Sequence, residues 1–69
     1  MTDQADNAYI IQTVDLINEA DQIAFVMTEA GGYVVDALPE IGADARKLDI
    51  LFVAVSLEEA IEKYENVYG

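Results

Sequence analysis

Asp49-Ile50-Leu51-Phe52-Val53-Ala54-Val55-Ser56-Leu57-Glu58-Glu59 is the stretch on which the fold turns. It supports two readings. In the first it belongs to one helix from Asp44 to Tyr68, because Ile50, Val53, Ala54, Leu57, Ala60, Ile61, Tyr64, Val67 and Tyr68 recur at helical spacing. In the second, Ile50 to Val55 is a short, apolar, partly β-branched strand. Ser56-Leu57-Glu58-Glu59 is then a capping box, the pattern with which helices begin. Periodicity alone does not separate a buried strand from a buried helix segment. A strand needs partners, and the other candidates, Ile23 to Met27 and Tyr33 to Leu38, are weak. The continuous helix is therefore the favoured reading, with Asp44 as its N-cap and Glu59 and Lys63 as a favourable i,i+4 pair.

Upstream, the chain runs from Asn7 to Ala30 without Pro or Gly. Projected at about 100° per residue, Tyr9, Ile10, Thr13, Leu16, Ile17, Ala20, Ile23, Ala24 and Met27 fall in one arc, with polar residues opposite. This predicts an amphipathic helix, with Asp3 or Asp6 at its positive end and Gly31-Gly32 ending it. Pro39 disfavours helical geometry at Leu38, and Gly42 marks another break. The expected architecture is all-α: a helix over about 7–30, a connector over 31–43 and a helix over about 45–67.

Leu48, Leu51, Phe52 and Val55 project from the back of the second helix, opposite its main stripe. A helix apolar all round is buried all round, and a two-helix hairpin covers only one side. Phe25 and Val26 lie outside the arc of the first helix and extend the surplus. Exposing such side chains forfeits about 1.5–3 kcal/mol each. These six residues are the candidate self-association surface, and a homodimeric four-helix bundle is the arrangement that covers them. The alternative is a monomer in which Tyr33-Val34-Val35 and Ile41 fold back over the surplus face.

Composition narrows the function. The 69 residues make one domain, whose core alone is marginal. Cysteine and histidine are both absent, which removes disulfides, thiolate chemistry and the commonest general base and metal ligand. The net charge is −11, from fourteen acids against three basic residues, while 54% of the chain is apolar. Such a charge disfavours nucleic acid and anionic membranes and favours a partner with a basic surface. The longest apolar run, Ile50 to Val55, is far below the roughly 18 residues of a membrane span. The N-terminal residues lack a signal-peptide pattern, so a cytoplasmic location is expected.

No motif carries chemistry. Glu58, Glu62 and Glu65 share one side of the last helix, but no second ligand set accompanies them, so a solvated acidic face is the simpler reading. Ser56 is the only serine and has no partner base. Ile41-Gly42-Ala43-Asp44 resembles the turn before the modified serine of acyl carrier proteins, but Ala45 stands where that serine is needed. No enzyme activity, cofactor or metal is expected. The candidate partner-binding residues are Tyr33, placed on an exposed turn, with Glu58, Glu59, Glu62 and Glu65. The expected function is a regulator or inhibitor that occludes another protein, such as a transcription regulator or an ATPase. The alternative is a nucleic-acid mimic, with acids on two helices imitating phosphates. In size, charge and lack of catalytic groups the chain resembles the small acidic inhibitors that bacteriophages direct at host proteins. That resemblance is one of class and implies a bacterial protein target.

Overall fold

The computed structural model describes residues 8–68. Four strands form an antiparallel meander in sequential order: β1 (Ile10–Asn18), β2 (Ile23–Thr28), β3 (Gly31–Asp36) and β4 (Asp49–Ala54). One helix, α1 (Leu57–Tyr68), follows. The all-α hairpin is therefore corrected to a β-sheet domain with one C-terminal helix. The segment expected as the first helix contains β1, a turn and β2. The expected connector holds β3, and the expected second helix divides into a 3-10 turn (Ala45–Lys47), β4 and α1. The proposed caps Asp3 and Asp6 lie outside the described residues.

The helix-like spacing of the first segment has a structural cause. Opposite β2, the pairing runs Ile10 to Thr28, Thr13 to Val26 and Leu16 to Ala24, with irregularities after each. Three residues of β1 thus span two of β2, as successive bulges require. Side chains on one face then recur every three residues instead of every two. Ile10 and Leu16 reach one core cluster, while Val14 and Ile17 reach the other. A three-residue recurrence is close to the 3.6 of a helix, so the bulged strand imitates an amphipathic helix.

The remaining strands pair without interruption from β2 to β3, with Phe25 opposite Val34 and Val26 opposite Tyr33. Glu29 and Ala30 alone join them. The buried Thr28 holds this turn, its hydroxyl donating to the Gly31 carbonyl (2.8 Å) and accepting from the Ala30 N–H (3.1 Å). At the other end of β2 the loop Glu19 to Gln22 closes with a Gln22 N–H bond to the Glu19 carbonyl. Gln22 there adopts a positive φ of 58°.

Both faces of the sheet are covered, which explains the high apolar content. On one face Ile10, Ala24, Val26 and Val35 pack with Ala8 and Ala45, and Leu48 and Ala43 close over them from the connector. The connector is anchored to the start of β1 by three backbone bonds, from the N–H of Gly42, Ile10 and Ala45 to the carbonyls of Ile10, Ala43 and Ala8. On the other face Ile23, Phe25, Val34 and Ala54 pack beneath Ala60, Leu57 and Tyr64 of α1.

The β4–α1 junction follows the second reading of the opening stretch. Ser56 Oγ accepts from the Glu59 N–H at 3.2 Å, so Ser56 caps the helix at its start and the strand stops before it. Glu58 and Glu59 occupy the first turn, where acids suit the helix dipole. Asp44 does cap, but its carboxylate accepts from the Arg46 N–H in the 3-10 turn, not in a long helix. The Glu59–Lys63 pair forms at 3.0 Å.

Candidate functional site

The sheet moves several expected site residues into the interior. Phe25 and Val26 are 1% and 0% exposed, enclosed by their own chain, so their lack of cover no longer argues for a second copy. Leu51 and Phe52 are half-buried beneath α1, and Leu48 packs from the connector onto the first core cluster. Of the six self-association candidates only Val55 stands open, at 78% exposure. With one α-helix among the described residues, the four-helix bundle is not formed. Tyr33 lies within β3, half-buried against the first core cluster and paired with Val26 and Val53. It is a strand residue, not the tip of an exposed turn.

The acids of α1 fare differently. The helix is held to the sheet by Leu57, Ala60 and Tyr64, and this buried stripe fixes which side faces out. At 100° per residue, Glu58, Glu62 and Glu65 cluster on the outward flank, and all three are exposed. Ile61 (39% exposed) and Tyr68 (55%) border the row on its sheetward side. Glu59 sits around the helix with Lys63, whose ammonium also donates to the Val53 carbonyl at 3.2 Å. Lys63 thereby joins the helix to the outer strand of the sheet and leaves the Glu58–Glu62–Glu65 flank without a cation of its own helix.

The Asp44 carboxyl is held below its ordinary value. The hydrogen bond from the Arg46 side chain lowers it, against a smaller opposing effect of desolvation, and the Arg46 N–H and the charges of Arg46 and Lys47 add to the lowering. This is a local clamp: Arg46 Nε and Nη2 reach the two Asp44 oxygens at 3.1 and 3.0 Å. It stabilises the connector across the start of β1.

Among the described residues, no group of three or more acids comes together to hold a metal ion. No described helix is long and apolar enough to cross a membrane. Comparison with family models, with curated proteins and with solved structures yields no match.

Proposed function

We propose that this protein acts by binding another protein, presenting the outer flank of α1 to a basic surface, and that it regulates or inhibits by occlusion rather than by catalysis. The observation that carries this reading is the exposed row of Glu58, Glu62 and Glu65 bordered by exposed Ile61 and Tyr68. Acids accelerate encounter with an opposite charge, and the apolar border supplies contact area that excludes water. The row stands on a helix clamped to a sheet, so little conformational entropy is lost on docking. The alternative of a nucleic-acid mimic expected rows on two long helices. Asp15 instead lies on β1, and Glu19 and Glu29 lie beside turns, so only the single row on α1 remains.

The test is a paired charge reversal. A Glu58→Lys, Glu62→Lys, Glu65→Lys variant is expected to lose a partner that the parent chain captures from bacterial lysate. A Glu29→Lys, Glu40→Lys variant, altered on the β2–β3 hairpin and the connector, is expected to keep it. Equal loss in both variants, with circular dichroism unchanged, contradicts docking through α1.

A further inference from the structure

At the far end of α1 the helix, the β1–β2 loop and the sheet enclose a cleft of about 330 Å³. Asp21, Ile23, Asp36, Leu51, Tyr64 and Tyr68 line it. We propose that this cleft receives the guanidinium group of an arginine side chain carried by the partner protein. The inference rests on the protein-binding reading above and names the side chain that would be recognised.

The charges in the cleft are uncompensated. Neither the Asp21 nor the Asp36 carboxylate makes a hydrogen bond or ion pair with any described residue; the cations of the described ion pairs, Arg46 and Lys63, are engaged by Asp44 and Glu59. Asp36 is also the direct cross-strand partner of Asp49, and like charges in that position repel. The last turn of α1 carries no basic residue. A cation placed here relieves an electrostatic strain that the chain leaves standing.

The walls favour a planar cation. The Tyr64 and Tyr68 rings stand 4.8 Å apart and 33° from parallel, giving an aromatic wall beside the carboxylates. A guanidinium stacks on such rings while its N–H groups reach carboxylate oxygens, which an ammonium cannot do at once. Buried Ile23 and half-buried Leu51 provide an apolar base for the methylenes of an arginine stem. A hard metal ion would instead require a shell of oxygens, and the tyrosine faces do not supply one.

One side chain holds the two sides of the cleft in place. Asn18 Nδ2 donates to the Tyr64 hydroxyl at 2.9 Å, and Asn18 Oδ1 accepts from the Asp21 N–H at 3.1 Å. The loop bearing Asp21 and the ring of Tyr64 are thus fixed by the same amide before any ligand arrives. Such preorganisation lowers the entropic cost of binding.

The test is an NMR titration of the full chain with the peptide acetyl-Gly-Arg-Gly-amide, and with its citrulline counterpart, which keeps the shape and loses the charge. Saturable shifts at Asp21, Asp36, Tyr64 and Tyr68 are expected with arginine and not with citrulline. Asp36→Asn and Tyr68→Leu are each expected to weaken the arginine peptide by about tenfold. Asp36→Asn removes a like-charge repulsion, so unfolding does not account for its loss. Glu29→Gln, at the other end of β2, is expected to change affinity less than about twofold. The proposal is overturned if Glu29→Gln weakens the peptide as much as Asp36→Asn, or if no saturable shift occurs in the cleft. Shifts confined to Glu58, Glu62 and Glu65 also overturn it while leaving docking through α1 intact. Failure of the charge-reversal experiment removes docking through α1 by itself.

Discussion

Replacing Gly32 with alanine is the sharpest test of the sheet. Gly32 lies inside β3, opposite Met27 of β2 and Ala54 of β4. A Cβ at this position would stand 2.4 Å from the Ala54 carbonyl oxygen and 2.6 and 2.7 Å from Cζ and Cε1 of Phe25. Favourable non-bonded contact begins near 3.5 Å, so each neighbour must withdraw by roughly 1 Å. The carbonyl belongs to the backbone of the adjacent strand, and moving it spreads β3 from β4. The Phe25 ring is 1% exposed, so its tip can shift only against the side chains packed around it. Overpacking typically costs about 1–3 kcal/mol, and a backbone neighbour that cannot yield without moving β4 places Gly32→Ala at the upper end, about 3 kcal/mol. A chain of this length has a total stability of roughly 3–10 kcal/mol, so the change removes a large share of it. The expected fall in melting temperature is about 12–24 °C. Thermal melting followed by circular dichroism measures that fall and urea denaturation the free energy, with Gly31→Ala as comparator. At Gly31 a Cβ meets nothing within 4 Å, but φ is +134°, so only backbone strain of order 1–3 kcal/mol is added. A Gly32→Ala variant within about 0.5 kcal/mol of the parent would refute the close approach of β2, β3 and β4 at this point.

Three further outcomes follow from named contacts. Phe25→Ala, which empties the cluster beneath α1, is expected to cost about 3–5 kcal/mol in urea denaturation, whereas the exposed Val55→Ser is expected to stay within about 0.5 kcal/mol; similar effects at both positions would contradict their placement. Because the folded chain holds the Asp44 carboxyl below its ordinary 3.8 through Arg46, the clamp contributes stability above that value and loses it as pH falls through the lowered folded pKa. Asp44→Asn should therefore flatten the acid limb of the stability profile, and urea midpoints through the carboxylate range check this. Asp49→Lys turns the repulsive pairing with Asp36 into an attractive one, and thermal melting should show a gain of about 0.2–1 kcal/mol.

Local chemistry was readable from the chain and long-range pairing was not. The Ser56 cap is a local signal, since the hydroxyl and the Glu59 N–H it satisfies are three residues apart, but the helical spacing from Ile50 to Tyr68 outweighed it and the favoured reading ran the helix back to Asp44. The Glu59–Lys63 pair and the outward row of Glu58, Glu62 and Glu65 follow from helical spacing in the same way. Residues 10–18 misled because their bulges give a strand an almost helical repeat. Ile23 to Met27 and Tyr33 to Leu38 looked weak as strands, since β2 and β3, which run over Ile23–Thr28 and Gly31–Asp36, carry apolar residues on both faces and do not alternate between polar and apolar.

Net charge, the absence of cysteine and histidine, and the i,i+4 spacing of Glu59 and Lys63 are properties of composition and near neighbours, so the amino-acid sequence by itself determined them. The tertiary structure decided which apolar residues are covered, Phe25 and Val26 by their own chain and Val55 by nothing. It also brought Asp21, Asp36 and Tyr64 to one cleft, from a loop, a strand and a helix far apart in sequence. Sheet register joins residues across turns and connectors, and a one-dimensional pattern records the spacing along a strand but not the partner on either side of it.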